Sequence, residues 1–371
     1  MLSRMSGIHA RDLGVSFDGV PGPRNAITDV GGVEVGYVTR SAGHVQTGVT
    51  AILPRGRDGV GVPCAAATHS LNGNGELTGR TWIDESGSLD LPVLLTSSHS
   101  VGTVHRGVVD WVVRHHPALA SQWLLPVVGE TWDGYLHDIN GGHLVPDDAG
   151  RAIDAASADV VSGPFGGGTG MCCYGFKGGT GTASRVADVG DEQYTVGVLL
   201  QANFGSRPEL RLGGVPLGRR SAAPNPMAET DWLVRDGENP GAAAGAGSVV
   251  GIVATDAPLL PHQLAAVARR VPLGLARTGT TGSHFSGDIF LAFSTANTGA
   301  LVSRIPAGQT PPLDRLRSVP WGLVDPLYAA TVEATEEAVA EALVAAHDVT
   351  GRDGHRAYAL PHAEVRAAFG A

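Results

Sequence analysis

The chain has 371 residues, 43% hydrophobic and 17% charged, enough apolar material for one large core or two ordinary domains and too much for a disordered chain. Its 53 glycines are about twice the usual share, which points to tight turns and close backbone approaches. A formal net charge of −10 with no long basic run excludes a groove built for nucleic-acid phosphates, whereas an acidic surface does not repel a cationic amine.

Residues 1–19 contain Arg4, Arg11, Asp12 and Asp18 and no continuous apolar run, so no secretory signal is predicted. No 18 uncharged apolar residues run together, which predicts no transmembrane helix. The runs 48–53 and 92–96 read as strands. A helix is expected over 101–115, where Val101, Val104, Val108, Trp111 and Val112 share one face, and Pro117 stops it. Further strands are expected at 194–201, 249–255 and 288–295. The last long helix opens with Asp325 as N-cap and Pro326 in the first turn, and carries Tyr328, Val332, Val339 and Leu343 at helical spacing. Strands and helices in mixed order predict layered α and β structure. Between 205 and 247, Arg, Pro, Gly and Ala displace the apolar periodicity, which predicts a long loop ending in a run made of Gly and Ala alone. Three cysteines, Cys64, Cys172 and Cys173, are an odd number with an adjacent pair, as expected of thiols in a reducing compartment such as the cytoplasm.

Gly247-Ser248 is the first candidate for chemistry. A hydroxyl at the start of a buried strand, preceded by an unrestricted glycine, can be turned against the carbonyl just before it. Attack would convert that amide to an ester, and hydrolysis would leave Ser248 as a new N-terminus whose α-amine, of pKa ~7.7 to 8.0, is a built-in base. On composition alone the commoner reading is a Gly/Ala hinge with Ser248 as a turn residue.

The second candidate runs from Thr281 to Ser294. If extended, it puts His284, Ser286 and Asp288 on one face and Ile289, Leu291 and Phe293 on the other. A solvated strand entry fits the same pattern. The glycines of 163–170 could cradle an anion, but no Lys-Ser/Thr follows, so close packing beside a site is preferred, with Cys172 and Cys173 as small buried fillers. The acids and aromatics of 129–140 suit either ammonium recognition or an ordinary polar loop. His115-His116 fits the end of a helix better than a metal pair, and no compact His/carboxylate motif is visible, so no metal site is expected.

Taken in order, residues 24–36, 71–79, 98–102, 129–135, 166–171, 201–205, 247–250 and 286–290 resemble the serine aminopeptidase family that includes the L-aminopeptidase/D-alanine esterase and the β-peptidyl aminopeptidases. The resemblance covers nearly the whole chain. It implies an αββα sandwich like that of N-terminal-nucleophile hydrolases with a different strand connectivity, and self-cleavage at Gly247-Ser248 into an α part, 1–247, and a β part, 248–371, of one domain. By position it makes Ser248 the nucleophile, Ser286 and Asp288 the serine and acid that orient and assist it, and Asn203 the oxyanion-stabilising amide. It makes Glu130 the acid that holds the substrate's free amine. Trp132 stands where members carry a Tyr whose phenol completes the oxyanion hole, and an indole N–H donates from a different point. His284 has no counterpart and is left as structural.

The activity so implied is a cofactor-free aminopeptidase or amidase, cytoplasmic and a homo-oligomer of processed units, acting on short peptides, amino-acid amides or esters. Two other functions are weighed. Ornithine acetyltransferase-like acyl transfer would call for Thr at the nucleophile, and an uncleaved homologue would act as a small-molecule binding protein.

Overall fold

The structure is a computed structural model and describes residues 7–229, 247–303, 305 and 308–370. Among them, two sheets lie face to face. The smaller holds β1 (Glu34–Ala42), β2 (Val45–Leu53), β5 (Val93–Ser97) and β6 (Val127–Thr131) in the order β1-β2-β5-β6. The larger holds β3 (Cys64–Ser70), β4 (Ser88–Leu89), β9 (Gly179–Val189), β10 (Glu192–Asn203), β11 (Ser248–Thr255) and β12 (Gly287–Ser294) in the order β4-β3-β12-β11-β10-β9. Short pairs β7 (Cys172–Cys173) and β8 (Phe176–Lys177) form a hairpin beside it. Within the larger sheet β11 and β12 run parallel and the other neighbours antiparallel.

Period-two patterning builds the layers. On β11, Val250 and Ile252 turn toward the smaller sheet and join Ile52, Leu95 and Val127, while Val249 and Val253 turn the other way. Each such fully buried side chain is worth roughly 1.5 to 3 kcal/mol relative to exposure. Two helices, α1 (Val101–His115) and α2 (Pro146–Asp154), cover the outer face of the smaller sheet through Val104, Val108, Trp111, Ala149 and Ile153. On the outer face of the larger sheet lie α3 (Pro261–Ala268), α4 (Val271–Arg277) and α5 (Asp325–Val344), which share a core with Val198, Leu200 and Phe290. The result is the expected αββα layering. Glycine sets how closely it packs: a Cβ on Gly181 of β9 would sit 1.9 Å from the Ala338 carbonyl of α5.

The helix over 101–115 has the expected bounds. The last long helix differs at its start, with Val324 as N-cap and Asp325 already in the first turn, because a 3-10 turn at Trp321–Leu323 leads into it and the Val324 carbonyl accepts from Leu327 and Tyr328. The predicted loop over 205–247 is described as far as residue 229, and its Gly/Ala run up to 246 lies outside the described residues. The part described is irregular yet packed. Leu210, Leu212 and Leu217 are buried, and the Arg207 guanidinium stacks 3.4 Å over the Phe176 ring while Nε donates to the Tyr174 carbonyl. No helix among the described residues is long and apolar enough to cross a membrane.

Candidate active site

The ladder of the larger sheet gathers the candidates. Asn203, the last residue of β10, pairs with Ser248, the first of β11, and Ser248 pairs with Gly287 at the start of β12. Because β11 and β12 are parallel, both begin at the same end of the sheet, and Ser286 and Asp288 flank that point. All four candidate residues are buried: Ser248, Ser286 and Asp288 are 2–3% exposed and Asn203 is 6% exposed.

The bond before Ser248 is confined by its neighbours. A Cβ on Gly247 would lie 2.0 Å from the Asn203 carbonyl oxygen, so glycine alone fits there, and the Gly247 carbonyl accepts from the Gly287 N–H at 3.3 Å. Gly287 is equally constrained, with the Asn74 carbonyl 2.3 Å from where its Cβ would be.

Asp288 is held from three sides. Ser286 Oγ donates to its Oδ1 at 2.5 Å, the Val249 N–H donates to the same oxygen at 3.2 Å, and Asn72 Nδ2 donates to Oδ2 at 3.2 Å. Asn72 Oδ1 in turn accepts from the Asp288 N–H at 2.7 Å. Burial pushes the Asp288 carboxyl above its ordinary value, and the bonds from Ser286, Asn72 and Val249 oppose that shift.

The Asn203 carboxamide is oriented by two backbone bonds. Its Oδ1 accepts from the Cys172 N–H and its Nδ2 donates to the Trp132 carbonyl, both at 2.8 Å. These partners fix which end is oxygen, and Nδ2 carries a second hydrogen beyond the one given to Trp132.

Glu130 lies on β6 of the facing sheet, and Trp132 follows the end of that strand. Gly129 of β6 packs on Val250, and a Cβ on Gly75 would meet Gly287 Cα at 3.0 Å and Glu130 Oε1 at 3.3 Å, so Glu130 lies across from the start of β12. Its carboxylate accepts from the Ser98 hydroxyl and from the Glu76 N–H, the latter at 2.9 Å. Burial pushes Glu130 up as well, partly offset by those two donors. Trp132 is 38% exposed and its indole packs on Gly134. The next residue, Asp133, is buried, accepts from Ser97 Oγ at 2.8 Å, and is pushed by burial up to about 7.

His284 is not brought into this group. Gly282 has φ +75° and residues 284–285 form a turn, so the strand begins at Gly287 and His284 is exposed beside Phe285 instead of sharing a face with Ser286 and Asp288. The glycines of 166–168 form a 3-10 turn whose N–H groups at 166 and 167 bond Thr39 and Thr50 hydroxyls, which supports the packing role over anion binding. Cys172 and Cys173 are buried free thiols, and His115 stacks on Trp111.

Three supports went unassigned in the sequence: Asn72, Ser98 and buried Lys177. Lys177 Nζ donates to the Gly168, Met171 and Gly178 carbonyls and so ties down the segment that presents the Cys172 N–H to Asn203, and burial pulls its pKa down to about 8. The Asn-Gly-Asn-Gly run at 72–75 was the visible signal for the first of these, a turn with polar side chains.

Comparison with known proteins shows the family and the fold. The model of Peptidase family S58 matches residues 25–357. The chain is 47% identical to the beta-peptidyl aminopeptidase BapA of Sphingosinicella microcystinivorans, covering 97% of this chain and 91% of that one, and 43% identical to that of Sphingosinicella xenopeptidilytica, covering 97% and 90%. Among solved structures it is similar to the L-aminopeptidase D-Ala-esterase/amidase of Ochrobactrum anthropi, a prototype of the serine aminopeptidases with a variant of the Ntn hydrolase fold, at TM-score 0.88 and 40% identity over 98% of both chains. The chain belongs to Peptidase family S58: it is a serine aminopeptidase, a peptide-bond hydrolase built on an Ntn-type αββα sandwich.

Proposed function

We propose that the chain cleaves itself between Gly247 and Ser248 and then uses Ser248 to release N-terminal residues from short peptides, amino-acid amides or esters. The observation that carries this reading is the ladder end where Asn203, Ser248 and Gly287 pair in one row, with Asp288 fixed beside them.

In self-cleavage, Ser248 Oγ attacks the Gly247 carbonyl carbon, the Oγ proton passes to the Ser248 nitrogen, the C–N bond breaks, and that nitrogen leaves as a free amine. The Gly287 N–H already on that carbonyl and the second hydrogen of Asn203 Nδ2 stabilise the developing oxyanion. Water hydrolyses the ester to a Gly247 carboxylate and a free Ser248 hydroxyl. In turnover the new α-amine takes the Oγ proton, Oγ attacks the substrate carbonyl, the leaving amine departs with that proton, and water releases the acyl group. Ser286 and Asp288 orient this end of the strand, and Glu130 pairs with the substrate ammonium. Likeness to two beta-peptidyl aminopeptidases puts peptides with an N-terminal β-amino acid first among substrates to be tried. Cytoplasmic location and a homo-oligomer of processed units complete the reading.

N-terminal sequencing tests it: the smaller fragment should begin Ser-Val-Val-Gly, and Ser248→Ala should leave one uncut chain without turnover. A Ser248→Ala chain that still splits at the same bond refutes the intramolecular route, and an intact, inactive wild-type chain supports the binding-protein alternative.

A further inference from the structure

We propose that His44, Asp138 and His143 form a binding site for a late first-row divalent cation, with Zn²⁺ as the fitting ion. His44 lies in the turn between β1 and β2, whereas Asp138 and His143 lie in the segment between β6 and α2. One ligand atom from each of the three lies within 4.8 Å of the other two. A tetrahedral ion with bonds of ~2.0 to 2.1 Å holds its ligand atoms roughly 3.3 Å apart, so a small contraction completes three corners.

The surroundings are shaped for this set. His143 Nε2 and Asp138 Oδ2 are 2.9 Å apart, and the ion takes the place of the proton between them. The Asp138 N–H donates to the His44 carbonyl at 2.9 Å, which joins the two segments before any ion arrives. At Gly141 a Cβ would lie 2.1 Å from His143 Nε2 and 2.3 Å from Asp138 Oδ2, so a larger residue would displace both ligand atoms. His137 packs edge-on to His143 with its Nδ1 taken by the Gln46 N–H at 3.2 Å, backing the group through its ring. Two imidazoles and one carboxylate suit Zn²⁺ in preference to Mg²⁺ or Ca²⁺, which favour all-oxygen sets, and leave a fourth position to water. The cluster was invisible in the sequence because His44 comes from the β1–β2 turn, far along the chain from Asp138 and His143.

Calorimetric titration of the full, chelator-dialysed protein with Zn²⁺ tests the proposal. One site per chain is expected, with a rise in Tm on saturation. His44→Ala and His143→Ala should each weaken binding at least tenfold, and Gly141→Ala should weaken it as well. His44 is exposed and outside the active site, so His44→Ala should keep wild-type peptidase activity and metal-free Tm, which separates lost ligation from misfolding. Wild-type protein that takes up no Zn²⁺, or a His44→Ala protein that binds it as tightly as wild type, overturns the assignment.

Discussion

Asp288 and Glu130 are both buried carboxylates pushed up by burial, yet they are held in different ways. Asp288 belongs to the ladder of the larger sheet: its backbone N–H, its neighbour's hydroxyl and the N–H of the adjacent strand fix it, with Asn72 closing the ring. Glu130 belongs to the smaller sheet and is held by groups from outside that sheet's ladder, the Ser98 hydroxyl and the Glu76 N–H. Strand register places most of the proposed reacting end, and contacts from loops outside the ladder place the proposed recognising end. Changes near Glu130 should therefore have graded effects, whereas changes on the ladder should act on the chemical step.

The sharpest break in this comparison is expected on the ladder side. Removing one oxyanion donor costs ~10² to 10³ in kcat, so Asn203→Ala should process slowly and turn over poorly. It should also lose some stability, because the Cys172 N–H and the Trp132 carbonyl are left without their partner. Unaltered processing and kcat in that variant would show that Asn203 has no part in the reaction.

On the recognition side, Glu130→Gln removes a charge-assisted contact worth roughly ~10- to 100-fold in KM for free-amine substrates. Wild-type enzyme should turn over N-acetylated substrates poorly, and Glu130→Gln should narrow the gap. Because Glu130 must be ionised to pair and burial raises its pKa, kcat/KM should show, below the loss caused by protonating the Ser248 α-amine, a second acid-side loss at a pH above that of an ordinary glutamate, and Glu130→Gln should remove it. Equal turnover of acetylated and free-amine forms of one amide by the wild type would sink the role.

Trp132→Phe should be milder still. The indole packs on Gly134 and stays partly exposed, so the expected change is below about tenfold and falls on KM or side-chain preference. A loss of ~10² in kcat at constant KM would instead make the indole N–H a second oxyanion donor.

The remaining effect is on stability. Asp133 is pushed up to about 7 in the folded chain from an unfolded value near ~3.9, so between those limits the folded state holds more protons. Its stabilising contribution is complete below pH ~4 and is lost as pH rises through 7. Asp133→Asn should flatten that slope, measured as Tm at pH 5 against pH 7.5. Parallel slopes for variant and wild type would assign the pH dependence to other groups.

Local patterns were readable where local forces decide. The 101–115 helix has its apolar face and Pro117 stop within one short window, and the β11 strand shows as an unbroken apolar run. Ser286 and Asp288 drew notice through alternation, but the same alternation drew in His284, which the Gly282 turn removes. Asn72 reaches Asp288 across more than 200 residues, and Lys177 is a buried cation serving three carbonyls. Neither leaves a periodic trace, since what fixes each is a partner brought in by sheet order.

That order has one more outcome. In the larger sheet the two strands that follow the Gly247-Ser248 bond, β11 and β12, are inserted between β3 and β10, which precede it. A cut at that bond therefore yields two polypeptides locked together by a strand ladder on each side, with no need of a covalent tie. Denaturing gels should separate them and native chromatography should not, and the two pieces should behave in unfolding as a single cooperative body.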